Sequence, residues 1–284
     1  MNALEIKNLN KTLGDFKLTI NDIEIKKGYI TGFIGPNGSG KTTTMKLIMN
    51  MLKKDSGTIK VFGKQNDLND INIKELIGYV GDISGYLQDA KLKSIKKGVY
   101  PFYKNWDEKL YKHYMDLFKL DENKVYKKLS KGQQKKFELA MALSHHPKLI
   151  IMDEPTANLD PLVRNEFLEI LQEHIEKEEA TVFYSTHITS DLDKVADFLV
   201  FIYEGNIILS GDKENILENH KIIRGSNDLL DAYTKKALIS YAKNSFGFNG
   251  LTSNVESAYE IFGDEVVYDN ANLEDILMYY TKEC

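Results

Sequence analysis

The chain is predicted to be an α/β protein with a mainly parallel sheet, and a few stretches carry that expectation. Leu149, Ile150, Ile151 and Met152 form an unbroken apolar run, as in strands covered on both faces. Residues 29–34 read as a second buried strand that runs straight into Gly35, Pro36, Asn37, Gly38, Ser39, Gly40, Lys41, Thr42 and Thr43. A helix-compatible stretch over 43–52 follows, with apolar Met45, Ile48, Met49 and Leu52. Strands alternating with helices around such a glycine-rich turn imply crossover connections, and so parallel pairing.

The other elements follow in order. Residues 4–9 and 16–25 alternate as strands do, and 58–62 is a short strand after the turn Asp55-Ser56-Gly57. Residues 77–80 look like a further core strand. From about 88 the texture becomes aromatic and lysine-rich, with Tyr111, Tyr114, Met115 and Phe118 at helical spacing. Ser130 then caps a helix continued by Phe137, Leu139, Ala140, Ala142 and Leu143, so a helical insertion spans about 88–140. Trp106 and its tyrosine neighbours are expected in the core of that insertion, and Lys91 to Lys97 on its solvated face. His145 and His146 precede Pro147 in a helix-ending turn. Residues 148–153 and 180–185 return to buried-strand composition, and 198–203 with 206–209 reads as a hairpin. Beyond about Gly211 the pattern is short and mixed, ending with Asn272 as an N-cap before Leu273, Ile276, Leu277 and Tyr280 on one helical face. The expected division is therefore 1–212 and a small α+β appendage over 213–284.

Composition narrows the function classes. A chain of 284 residues with 42% hydrophobic and 28% charged residues is expected to be soluble and globular. Its net charge of −5 argues against a general nucleic-acid binder. Apolar runs such as 198–203 fall far short of the roughly 20 residues that span a bilayer, and the N-terminus has no leader-like pattern. Any relation to a membrane is thus expected to pass through a partner. The single cysteine, Cys284, excludes a disulfide framework and suits a reducing cytoplasm.

The chemistry concentrates at strand ends. The stretch from Gly35 to Thr42 fits G-x-x-x-x-G-K-[S/T], whose glycines let successive amides face a triphosphate at a helix N-terminus. Lys41 reaches the β- and γ-phosphates and Thr42 ligates Mg2+. Asp153 ends a buried strand, where open α/β sheets bind ligands, and is placed to hold Mg2+; Glu154 follows, placed to polarise an attacking water. Ser130 and Gly132 put a second helix N-terminus toward an anion. His187 ends another buried strand at the same sheet edge. A phosphate loop alone leaves kinases, GTPases and many ATPases open.

Taken together, these residues resemble the nucleotide-binding subunits of ABC transporters, in motif order and spacing over about 1–212. The resemblance implies a P-loop NTPase with a RecA-like parallel core, an antiparallel β subdomain and the helical insertion. It makes Gly35 to Thr42 the Walker A loop, Leu149 to Glu154 Walker B with its catalytic glutamate, and Leu129 to Gln133 the signature. Ala157-Asn158-Leu159-Asp160 corresponds to the D-loop and His187 to the switch histidine that contacts the γ-phosphate. ATP and Mg2+ are implied ligands. The resemblance also implies a second nucleotide-binding subunit, as homo- or heterodimer, with each nucleotide clamped between one Walker A loop and the partner's Ser130 and Gly132. A transmembrane permease subunit would hold the chain on the cytoplasmic face of the membrane, and nucleic acid is not an expected partner.

The chain departs from the family pattern in places. Lys131 replaces the usual glycine, Asp82 stands at the metal- and water-sensing glutamine of the Q-loop, and Leu13 stands where an aromatic stacks on adenine, with Phe16 as the nearest aromatic. The wording is most similar to bacterial ABC-2-type exporters, such as those of bacitracin resistance and phenol-soluble-modulin export. The alternative is a soluble ABC-type ATPase acting on DNA or ribosomes. Such relatives carry a long coiled-coil insertion or a second cassette, and neither is present. For a transporter, the permease helix is expected in a groove lined by 82–88 with Tyr100, Phe102 and Tyr103.

Overall fold

The computed structural model describes residues 1–66, 70–82, 85–157 and 159–281. Asn158 of the D-loop stretch, Ile83 and Ser84 of the expected groove, and Cys284 lie outside them. The first strands are β1 (Asn2–Leu13) and β2 (Phe16–Lys26), a hairpin longer than its alternating stretches suggest. Strand β3 (Ile30–Ile34) is buried throughout and delivers the chain to α1 (Lys41–Ile48). That helix ends before 52 because Asn50 takes a left-handed conformation, with φ of 54°. Next come β4 (Ser56–Val61), β5 (Lys64–Gln65), α2 (Ile71–Glu75) and β6 (Ile77–Val80).

The insertion holds α3 (Leu92–Val99), a single 3-10 turn at Tyr100–Phe102, and α4 (Glu108–Leu117), leading into α5 (Lys131–Leu143). Asp107 caps α4 by accepting from Lys109 and Leu110 amides, and Ser130 caps α5 through a reciprocal box with Gln133. The remaining core elements are β7 (Leu149–Asp153), α6 (Pro161–Glu178), β8 (Thr181–Thr186), α7 (Thr189–Val195), β9 (Phe198–Tyr203) and β10 (Asn206–Asp212).

These strands form one sheet of order β5-β4-β1-β2-β10-β9-β3-β8-β7-β6. The pairs β9/β3, β3/β8, β8/β7 and β7/β6 are parallel, whereas β1/β2, β1/β4 and β9/β10 are antiparallel. Alternation of side chains decides the layers: Ile151 and Phe183 pack with Met45 and Ile48 of α1, while Ile150 and Val182 pack with Phe137, Phe167 and Leu192 on the opposite face. Walker A, β7 and β8 thereby end at one edge.

After β10 come α8 (Lys213–Asn219), β11 (Lys221–Gly225), β12 (Ser240–Asn244), β13 (Gly247–Thr252), α9 (Val255–Phe262), β14 (Val267–Asn270) and α10 (Leu273–Tyr280). The strands make a separate antiparallel sheet of order β12-β13-β11-β14. Asn272 caps α10, whose buried Leu273, Ile276 and Tyr279 share a core cluster with Leu192 and Val195 of α7. Among the described residues no helix is long and apolar enough to cross a membrane.

Candidate nucleotide site

The phosphate loop is shaped by its glycines. Gly38 and Gly40 have φ of 82° and 113°, which side chains rarely adopt. Gly35 has no room for a Cβ, which would lie 2.2 Å from the Ile202 carbonyl oxygen. Pro36 accepts from the Ser39 amide at 3.2 Å, Asn37 is exposed, and Thr43 is half-buried in the first turn of α1. Ser39 Oγ is buried with no hydrogen-bond partner among the described residues, an orphan that suits an anionic ligand with acceptor oxygens.

Lys41 is only 5% exposed, and its Nζ donates to the Gly35 and Pro36 carbonyls at 2.7 and 3.2 Å. The same ammonium lies 3.4 Å from Glu154 Oε1. The other carboxylate oxygen, Oε2, is 2.9 Å from His187 Nδ1, which must donate because a carboxylate only accepts. Glu154 thus bridges the phosphate-loop lysine and the histidine at the end of β8. Its backbone has φ of 49°, held by its amide donating to Ser185 at 2.9 Å.

Asp153, 1% exposed, accepts from Thr42 Oγ1 at 3.2 Å and from Ser185 Oγ at 2.7 Å, both on Oδ1. Burial pushes its carboxyl above the usual carboxylate range; the Ser185 and Thr42 hydroxyls pull it back, and the Glu154 and Asp82 charges push it up. The converging hard oxygens of Asp153 and Thr42 fit Mg2+, which keeps much of its water and takes few protein ligands. Asp82 is exposed and lines the same cavity as Thr42 and Asp153, with its backbone carbonyl accepting from Lys135 Nζ at 3.2 Å.

The signature residues stand apart from these. Ser130 Oγ and the Gln133 side chain are occupied by the cap of α5, and Gly132 faces Val163 of α6. No hydrogen bond or ion pair among the described residues joins Ser130, Gly132 or Gln133 to the phosphate loop. Asp160 caps α6 by accepting from Leu162 and Val163 amides at 3.1 Å. Near the loop, Phe16 and Gly38 line a cavity of about 480 Å³ with Lys17, Glu204 and Asn206, while Leu13 is exposed. Sequence reading missed Ser185 as the second hydroxyl on Asp153. Its signal was there: a small polar residue directly after the apolar run Val182 to Tyr184.

A glycine cradle, a buried lysine and paired carboxylates at the end of a parallel strand define a nucleoside-triphosphate site of the phosphate-loop class. Residues 18–157 match the family model described as ABC transporter. The chain is 35% identical over 235 residues to a lantibiotic transport ATP-binding protein of Streptococcus pyogenes, covering 78% of this chain and 97% of that one. It is 31% identical over 199 residues to a bacitracin transport ATP-binding protein of Bacillus licheniformis, covering 66% and 62%. Among solved structures it matches an ATP-binding subunit of an ABC transporter with TM-score 0.69 and 25% identity, over 76% of this chain and 92% of that one. An ATP-binding cassette in its ADP conformation gives 0.64 and 28%, over 77% and 96%. The chain belongs to the ABC transporter ATP-binding family. It is an ATPase.

Proposed function

We propose that this chain is the energy-coupling ATPase of an exporter for a peptide or drug, working as a dimer beneath a separate permease subunit. The single observation that carries the catalytic part is Glu154 bridging Lys41 and His187, beside the Thr42–Asp153 pair. The ATP phosphates compete with Glu154 for the Lys41 ammonium. Once the charge moves to them, Glu154 Oε1 accepts from the attacking water while His187 keeps the carboxylate oriented. Thr42 and Asp153 would hold Mg2+, which supplies charge neutralisation on the phosphates when bound. Phe16, rather than Leu13, packs against the base in this reading, which its position on the cavity beside Gly38 supports.

The cargo reading rests on relatives named for lantibiotic and bacitracin transport. Support for the dimer is that Ser130 and Gly132 lie at a capped helix start that has no polar tie to its own phosphate loop among the described residues. For the permease, the cavity of about 550 Å³ that Thr42, Asp82 and Asp153 border extends to Tyr79, Gly85, Tyr86, Tyr103 and His145, whereas Tyr100 and Phe102, also expected there, do not line it. The ten-stranded and four-stranded sheets support a division into 1–212 and 213–284, the two joined through the core cluster that α10 shares with α7.

Substituting Glu154→Gln and Lys41→Ala tests the catalytic core. Glu154→Gln keeps ATP binding and loses hydrolysis by about a hundredfold or more, the scale of a general base. Lys41→Ala weakens ATP binding itself by about tenfold or more, because it removes a charge-assisted contact. Wild-type turnover in Glu154→Gln would sink the assignment.

A further inference from the structure

Behind the catalytic pair, one buried carboxylate ties together three segments that meet at the site. Asp191, in α7, is 1% exposed. Its Oδ2 accepts from Thr156 Oγ1 at 2.5 Å and from Tyr184 OH at 2.9 Å. Those two hydroxyl oxygens are themselves 2.8 Å apart, and both residues are 0% exposed. On the other oxygen, Oδ1, Arg164 Nε stands 3.8 Å away, and Arg164 Nη2 donates to the Leu159 carbonyl at 3.4 Å. Burial first, and then the Asp191 charge, hold the Tyr184 phenol far above its ordinary range, so it remains a donor.

The sequence positions give this cluster its meaning. Thr156 lies just beyond Glu154, and Tyr184 just before His187 on β8. Asp191 sits in the helix that follows His187, and Leu159 precedes Asp160. None of the four side chains reaches Lys41, Thr42 or Asp153 by any hydrogen bond or ion pair among the described residues. A carboxylate this buried is costly unless its donors stay in place, so the cluster holds its segments in one arrangement.

We propose that Asp191 is a positioning residue for hydrolysis: it locks the turn after Glu154 to the strand end carrying His187, and so fixes the Glu154–His187 pair on which the water is aimed. The proposal rests on the catalytic reading of Glu154 given above. It places no demand on nucleotide binding, which the phosphate loop performs without it.

The test uses the full chain with Asp191→Asn, Thr156→Val, Tyr184→Phe and, alongside, Glu154→Gln. Asp191→Asn lowers kcat by about tenfold or more while KM for ATP stays within about twofold, because an ångström of misplacement is felt in the chemical step. Tyr184→Phe and Thr156→Val each give a smaller loss of kcat with the same unchanged KM. Thr156→Val added to Asp191→Asn costs no further activity, since both act through one lock. A kcat for Asp191→Asn within about twofold of wild type overturns the proposal, as does a loss that merely follows the folded fraction at the assay temperature. If Asp191→Asn does not fold, Tyr184→Phe and Thr156→Val decide by the same criterion. Loss of hydrolysis in Glu154→Gln with normal turnover in Asp191→Asn defeats this inference alone; wild-type turnover in Glu154→Gln defeats the catalytic reading first.

Discussion

His145 and His174 show how much charge placement at single residues governs this fold. Both are nearly fully buried, at 2% and 3% exposure, and burial pulls both imidazoles down to about 4 from an ordinary 6.5. His145 stacks on Tyr103 at 4.0 Å between ring centres, and His174 Nδ1 meets Tyr114 OH at 2.9 Å. The sign of the pH effect follows directly. Below pH 6.5 the unfolded chain takes up protons that the native histidines refuse until about 4. Stability is therefore lost as pH falls across that window, and no further loss comes from these groups below it. The gap corresponds to roughly 3 kcal/mol for each histidine. Melting temperature should drop steeply between pH 6.5 and 4, and His174→Gln should flatten that drop while lowering stability at pH 7.5. An unchanged slope in that variant would exclude His174 as a source.

Elements differed in how far the sequence revealed them. The parallel strands were legible because strands covered on both faces carry unbroken apolar runs, as in Leu149 to Met152 of β7 and Val182 to Tyr184 of β8. Cap residues were legible for the same local reason, since Ser130 and Asn272 act within three residues of themselves. The end of α1 was not, because a left-handed Asn50 leaves no mark on hydrophobic spacing. Nor was the Asp191 cluster, whose partners are separated by 28 and 35 residues and meet only through strand order. The packing of α10 on α7 was equally hidden: its apolar face could be read, but not what it covers. That packing makes a prediction. Ile276→Ala removes 0%-exposed apolar volume from a cluster shared with Leu192 and Val195, and should cost about 2–5 kcal/mol. Because the cluster is shared, calorimetry should show the whole unfolding transition moving down. A separate early transition of the appendage alone would contradict the shared core.

At the scale of the whole molecule the open questions are its partners. Phe102 is 75% exposed on the 3-10 turn between α3 and α4, while Tyr103 beside it is committed to the stack on buried His145. Both were expected, with Tyr100, to line the permease groove, but only a change at Phe102 separates docking from stability. Phe102→Ser should keep the melting temperature and basal ATPase of the isolated chain and lose co-purification with its permease; retained co-purification would remove Phe102 from the interface. The dimer allows a sharper test. Lys41 opens α1 and Ser130 caps α5, and that cap is intact without any phosphate-loop residue. If each nucleotide is shared between subunits, a Lys41→Ala chain paired with a Ser130→Arg chain confines both defects to one interface site. The other site keeps a wild-type phosphate loop facing a wild-type signature. Mixed dimers, shown to form by differential tagging, should then recover a substantial fraction of ATPase activity that neither variant has alone. Activity no greater than the sum of the separate variants would mean that the sites are not composite.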